Sequence, residues 1–224
     1  MSTGRLGSWH SADYVGDWLG DDVIADMLDL PRRISLALVA DAGIDVSHVV
    51  DLGSGHGSYL ELFLSSFPGA RGTWVDSSAA MEEVARERLA PFGDRVCFVL
   101  ADVEQLAGAS LEPVSVVVSS RALHHLSHEA LAALYRAVHD VVVPGGLVFN
   151  LDHVGAPGEL EQVYRRVRSS FTGERRKRLT PHRHDYPLAT ADQHAGWMAD
   201  AGFEHPDVPW RMLYTALISA RKPG

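Results

Sequence analysis

From residue 48 onward the chain alternates short β-branched runs with stretches of helical period. Residues 48–52, 72–75, 95–100, 114–119 and 147–151 read as strands, and 58–67, 79–90 and 128–141 as helices between them. Strands alternating with helices of ten or more residues require crossover connections, and crossovers give a parallel sheet with helices on both faces. Upstream, apolar positions recur at helical spacing from Val23 to Val39, with Pro31 at a favourable first position for a new helix, so two N-terminal helices are expected. Past residue 151 the alternation pauses. Residues 159–171 read as a helix, a polar basic loop follows through 185, and 191–201 form a helix closed by Gly202. The final runs, 203–210 and 212–220, lie too close for a helical crossover and predict an antiparallel hairpin at the sheet edge. The expected architecture is α/β: a doubly wound, mostly parallel sheet with an antiparallel C-terminal edge hairpin. One domain should span 1–224, with 1–44 as a helical cap and 155–188 as an insertion over the carboxyl ends of the strands.

At 224 residues, 46% of them apolar, the chain has material for one substantial core. Its longest apolar runs, 114–118 and 138–143, fall far short of the roughly 18 residues that span a bilayer. No membrane association is expected. The first nine residues carry Arg5 without an apolar block, which predicts no secretory signal and a cytoplasmic protein. Cys97, the single cysteine, agrees with that compartment. It lies in a predicted strand, as does Trp74, and both read as core residues.

A formal charge of −9 argues against a protein that grips nucleic acid over its whole face. The charge is uneven. Residues 165–183 hold eight basic side chains against one acid, so this segment carries +7 and the remainder −16. Two readings stand: a solvated helix face (Arg165, Arg166, Arg168) followed by a loop (Arg175 to Arg178), or an island that attracts an anionic acceptor as arginine binds carboxylate or phosphate.

The most informative stretch is the strand-to-helix turn Asp51-Leu52-Gly53-Ser54-Gly55-His56-Gly57. Glycines there let backbone approach a ligand where a β-carbon would collide. A dinucleotide fingerprint would need its third glycine later, where Ser58 stands, and no Gly-Lys-Ser or Gly-Lys-Thr follows as in a P-loop.

With Asp51, the turn reads Asp-x-Gly-x-Gly-x-Gly and resembles that of the class I S-adenosylmethionine-dependent methyltransferases. Further elements match in order: Asp76 ending the second strand, Asp102 ending the third, Ser119-Ser120-Arg121-Ala122-Leu123-His124-His125-Leu126 after the fourth, and Pro144-Gly145-Gly146 before the fifth. The resemblance covers about residues 45 to 220 and implies a Rossmann-like fold with S-adenosylmethionine as cofactor and S-adenosylhomocysteine as product. It implies that Asp76 accepts both ribose hydroxyls and that Asp102 holds the adenine amino group. Gly53, Ser54, Gly55, Ser77, Val103 and Ser119 belong to the same cofactor set. Asp51 either holds the glycine turn or touches ligand, and Gly57 serves helix packing.

Methyl transfer from a sulfonium is an in-line displacement in which the protein aligns the nucleophile and excludes water. A base is needed only if the nucleophile arrives protonated, and the candidates are His125 and His153, with His124 and His128 nearby in sequence. His128 also reads as a helix start. Trp9, His10 and Tyr14 lie in a segment that, in similar enzymes, covers the pocket. The Asn-Pro-Pro-Tyr motif of base-methylating enzymes is missing, so nucleic acid is not an expected partner. Ser119 and Ser120 stand where a catechol-type magnesium site would need an acid, and metal independence is expected. The expected function is methyl transfer to a small-molecule acceptor, an anionic one if the basic island contacts it. The alternatives are an NAD-dependent oxidoreductase on the same sheet, or a cofactor-binding domain repurposed for binding or other chemistry. No motif encodes the acceptor atom or the oligomeric state.

Overall fold

A computed structural model describes residues 22–108, 113–156, 158–172 and 186–224. Its elements are α1 Asp22–Asp41, β1 His48–Leu52, α2 Ser58–Ser66, β2 Arg71–Asp76, α3 Ala79–Leu89, β3 Val96–Leu100, β4 Val114–Ser120, α4 His128–Val141, β5 Val142–His153, α5 Leu160–Thr172, α6 Ala191–Asp200, β6 Glu204–Met212 and β7 Thr215–Arg221. The strands form one sheet in the order β3-β2-β1-β4-β5-β7-β6. β1 to β5 are parallel, and β7 runs antiparallel between β5 and β6. The expected doubly wound sheet and C-terminal edge hairpin are both present.

The β-branched runs read as nearly continuous because each central strand is buried on both faces. Val50, Leu52 and Val117 pack with Leu131, Leu134, Tyr135 and Val138 of α4 and Met198 of α6. Val49, Val116 and Val118 face the other way, against Leu28 and Val39 of α1, Leu60, Phe63 and Leu64 of α2, and Ala85 and Leu89 of α3. Caps set the helix entries. The Ser78 and Ser127 hydroxyls accept from Met81 N and Ala130 N at 3.2 and 3.1 Å, and Thr190 and Gln193 form a reciprocal capping box.

Three expectations are corrected. The N-terminal helical residues form one 20-residue helix with Pro31 inside it. Proline removes one backbone donor, but Leu28 before it and Val39 after it pack on the same wall, which holds the helix through the break. Cys97 is exposed and not in the core: β3 is the outermost strand, and none of its five residues is fully buried. Trp74, in contrast, is fully buried. The fifth strand begins at Val142, with the Pro144–Gly146 turn absorbed into it beside a register shift between Val114 and Val116.

The chain leaves the sheet at Gly155 and returns at Thr190, which are paired in an isolated parallel bridge. Residues 156–189 are thus an excursion from one point, and α5 is its described helix. Arg175 to Arg178 and Arg183, with Trp9, His10 and Tyr14, lie outside the described residues. Among the described residues no helix is long and apolar enough to cross a membrane.

Candidate active site

The strand order reverses direction between β1 and β4, and a cavity of about 290 Å³ opens there at the carboxyl ends of the strands. Its floor is the glycine turn. Gly53, Gly55 and Gly57 all adopt positive φ (66°, 54° and 80°), which L side chains rarely tolerate. Their surroundings differ. A β-carbon on Gly53 would stand 2.1 Å from the Ala122 β-carbon, whereas one on Gly55 would meet nothing closer than Met81 Sδ, in ordinary contact at 3.9 Å. The Gly55 backbone therefore lines the cavity with room beside it. Gly57 faces the Leu89 and Ala85 side chains, as expected of a packing glycine.

Asp76 ends β2 and joins the glycine turn to the start of α3, one oxygen to each. Oδ2 accepts from Gly55 N at 2.8 Å and Oδ1 from Ser78 N at 2.9 Å. The turn is further held by Ser54 N donating to Val75 O at 2.9 Å and by Trp74 Nε1 donating to Gly55 O at 2.7 Å. This second duty of Trp74 was invisible in a strand that reads simply as core. Asp51 has a different place. Its buried Oδ2 accepts from Ser54 Oγ at 2.6 Å, and burial pushes its carboxyl up to about 6 against the opposing effects of Ser54 and Arg32. Asp102 Oδ1 accepts from Glu104 N at 3.0 Å in the turn after β3.

The structure brings Asp51, Gly53, Ser54, Gly55, Asp76, Ser77, Asp102, Val103 and His125 together around the cavity. Two expected residues are elsewhere. Ser119 is buried in the sheet, its Oγ donating to Leu52 O at 2.7 Å. His153 lies behind the wall, its ring 5.1 Å from those of both His124 and Tyr214 and its Nδ1 3.3 Å from Thr215 Oγ1.

Five further residues line the cavity without a sequence signal that singled them out: Arg32, His56, Tyr59, Met81 and Glu104. Burial, with Arg88 and Arg32 nearby, holds His56 down at about 4, so its imidazole is neutral at pH 7. Arg32 reaches in from α1, with Nη1 donating to Ser58 Oγ at 2.8 Å and Nη2 to Ser120 Oγ at 3.0 Å.

The wall beyond β4 is built on Asp152, which is fully buried. It accepts from His124 N (2.8 Å), His124 Nδ1 (2.5 Å) and His153 N (2.8 Å). Burial raises its pKa and these backbone donors oppose the rise. The His124 ring, fixed by this carboxylate, stacks 4.2 Å from that of His125, the member that faces the cavity. Arg121 precedes them at φ 58°, its N–H donating to Leu151 O. On α5, Arg168 is buried and bonds Tyr214 Oη, so the solvated-face reading fails for that residue; Arg165 pairs with Glu161 instead. None of the described arginines of α5 lines the cavity. Among the described residues no three acids, histidines or cysteines are grouped to hold a metal ion.

Two predictions follow from this geometry. Gly53→Ala should cost about 2–4 kcal/mol, combining left-handed strain with a collision against backbone-fixed Ala122, and Gly57→Ala less, since Leu89 can rotate away; urea unfolding of both variants checks the order. Asp51 binds its proton more tightly folded (about 6) than in its ordinary range, so its contribution to stability is greatest in acid and is lost as pH rises from about 4 to 6. The stability of Asp51→Asn relative to wild type should therefore rise across that window and level off above it, as measured by denaturation at several pH values.

A family model described as a methyltransferase domain matches residues 49–146. The chain is 41% identical over 103 residues to a trans-aconitate 2-methyltransferase of Paracidovorax citrulli, covering 46% of this chain and 37% of that one. A second trans-aconitate 2-methyltransferase, from Methylobacterium nodulans, is 30% identical over 75% of this chain and 57% of its own length. A malonyl-[acyl-carrier protein] O-methyltransferase of a Paenibacillus species is 28% identical over 69% of this chain and 54% of its own. The chain thus spans between about a third and three fifths of these relatives. Among solved structures, the S-adenosylmethionine-dependent methyltransferase SibL superposes with a TM-score of 0.60 at 25% identity, over 84% of this chain and 54% of that one. Human N-acetylserotonin methyltransferase, solved with S-adenosylmethionine, shares the fold at 17% identity and a TM-score of 0.65, over 100% and 60%. With the glycine turn, the two strand-end acids and the sheet order all in agreement, residues 49–146 carry a methyltransferase domain, and the chain is similar in sequence and fold to S-adenosylmethionine-dependent methyltransferases.

Proposed function

We propose that the protein transfers a methyl group from S-adenosylmethionine to a small anionic acceptor, with a carboxylate as the class best supported. The carrying observation is a single cavity in which an acid-bonded glycine turn faces a wall bearing Arg121 and His125. When bound, the cofactor supplies a methyl group on a positively charged sulfur. In this reading the remaining lone pairs of Asp76 accept the two ribose hydroxyls, Asp102 and Val103 meet the adenine, and Ser54, Gly55 and Ser77 border the chain between them. Asp51 holds the turn from below through Ser54, and Ser119 steadies the end of β1 from within the sheet.

On the acceptor side, Arg121 supplies a fork suited to a carboxylate. Two relatives are named for methylating trans-aconitate, and a third for malonyl-[acyl-carrier protein]. A carboxylate is already ionised near neutral pH and needs no general base. His125 then orients the acceptor and excludes water, and the Asp152–His124 pair keeps its ring in place. His153 acts one ring further back, as support. The +7 segment at 165–183 raises the local concentration of an anionic acceptor through its net charge. The low cysteine content and net negative charge support a cytoplasmic enzyme that does not act on nucleic acid.

The experiment is mass spectrometry of ligand retained after dialysis, then assay of labelled methyl transfer to di- and tricarboxylates. S-adenosylhomocysteine is expected; a nicotinamide dinucleotide would favour the oxidoreductase alternative. By calorimetry, Asp76→Ala should weaken S-adenosylhomocysteine binding by about 2–4 kcal/mol, through lost charge-assisted hydrogen bonds. Arg121→Gln should raise KM for a carboxylate acceptor several-fold, more at low salt than at high, with cofactor affinity unchanged. Equal kinetics at both ionic strengths would remove Arg121 from the acceptor site.

A further inference from the structure

The cavity wall does not end at His125. Behind it the rings continue in file: His124 beside it in the turn after β4, His153 closing β5, and Tyr214 in the turn between β6 and β7. Successive ring centres are 4.2, 5.1 and 5.1 Å apart. Two guanidiniums of α5 close the file at its far end. Arg168 and Arg165 lie over the Tyr214 ring at 4.8 and 5.4 Å, and Arg168 also donates to the Tyr214 hydroxyl. Side chains packed this closely have few alternative arrangements, so a displaced member displaces the next.

Three features set the file apart from ordinary core. Arginine is almost never fully buried unless it is held, and Arg168 is only 3% exposed, with its charge against an aromatic face. The turn that presents Tyr214 is strained, because Leu213 before it adopts φ 56°, a left-handed conformation that a β-carbon disfavours. The two middle rings are tied to one buried acid: Asp152 accepts from His124 Nδ1 and from the backbone N–H of both His124 and His153. His124 and His153 therefore form one unit, with His125 against it on the cavity side and Tyr214 against it on the α5 side.

We propose that Tyr214, capped by Arg168, is a positioning residue for His125, so that docking of α5 and the set of the acceptor wall are coupled. The inference rests on the reading above that His125 meets the acceptor. His153, Arg168 and Tyr214 all lie beyond the segment matched by the methyltransferase domain model, so the wall's support comes from the C-terminal part of the chain. Such a coupling is reciprocal: loosening α5 shifts His125, and altering His125 changes how readily α5 opens. A Tyr214 that only filled space would lower stability without either effect.

The test uses the whole chain with labelled histidine, and circular dichroism and thermal melts confirm that each variant folds. Imidazole resonances of His125, assigned through His125→Gln, are recorded in wild type, Tyr214→Phe, Tyr214→Leu, Arg168→Met and Arg168→Lys. Tyr214→Leu and Arg168→Met are expected to shift them. Tyr214→Phe, which keeps the ring, and Arg168→Lys, which keeps a cation against it, should each shift them less. Hydrogen exchange reads the opposite direction: α5 amides should exchange about fivefold faster or more in His125→Leu than in wild type, although three rings stand between the two. Kinetics give the functional readout, with a di- or tricarboxylate that the wild type methylates. KM for that acceptor should rise about fivefold or more in Tyr214→Leu and Arg168→Met, while S-adenosylhomocysteine affinity, measured by calorimetry, stays within about twofold. An unaltered His125 spectrum in the folded variants, an unchanged acceptor KM, or α5 exchange that ignores His125→Leu overturns the proposal. If no carboxylate is methylated, the acceptor reading fails, and the resonances and the exchange still decide the coupling. Should neither Tyr214→Leu nor Arg168→Met fold, the exchange of α5 in His125→Leu and the spectrum of Arg168→Lys decide it.

Discussion

The Asp76 carboxylate ties the glycine turn of β1 to the start of α3. One oxygen takes Gly55 N–H and the other takes Ser78 N–H, so a single side chain from β2 fixes the backbone on both sides of the cavity floor. Three glycines with positive φ make a turn that is conformationally free in the unfolded chain, and such freedom is lost at a cost of order 1–2 kcal/mol per residue. The carboxylate and the two neighbouring bonds from Ser54 N and Trp74 Nε1 offset that cost. They also preorganise the cradle, so that little ordering remains to be done on binding. The same acid therefore sets the shape of the cavity floor and lines the cavity itself.

On the other side of the switch point the wall is built by a second buried acid. Asp152 gathers three N–H donors from His124 and His153, and these donors make an ionisable group tolerable where water is absent. Burial drives its pKa up, and the backbone bonds from His153 and His124 oppose the rise. The aromatic contacts continue outward from His125 through His124 and His153 to Tyr214, where Arg165 and Arg168 of α5 meet the same ring. The excursion after β5 is thereby mechanically joined to the wall that faces the cavity. A change in α5 has a route of packed rings to His125 without any direct contact between them.

Much of the fold was legible because the central strands are buried on both faces, which leaves runs such as 114–118 with little polar interruption, and because crossovers permit one sheet type. The floor of the cavity was legible for a related reason: a left-handed strand-to-helix turn demands glycine, and an acid at the neighbouring strand end can hold its backbone. Gly53, Gly55, Asp76 and Asp102 are local requirements of that kind, set within a few residues of each other or at the end of an adjacent strand. Ser119 failed the same logic because a strand's last residues alternate in direction, and it is Ser120 whose side chain reaches the cavity.

What the sequence by itself determined was the order of elements and the turn chemistry, since both follow from period and conformational preference along the chain. Tertiary structure alone decided which side chains share a space. Arg32 enters the cavity only because α1 packs on the β1–α2 face, and His153 leaves it only because β7 pairs beside β5 and draws that ring toward Tyr214 and Thr215. Cys97 is exposed because β3 has a neighbour on one side only, and helix α1 passes through Pro31 because its two halves pack on one surface. Each of these depends on contacts between residues distant in sequence, and local propensity is too weak, at well under 1 kcal/mol for most residues, to dictate them.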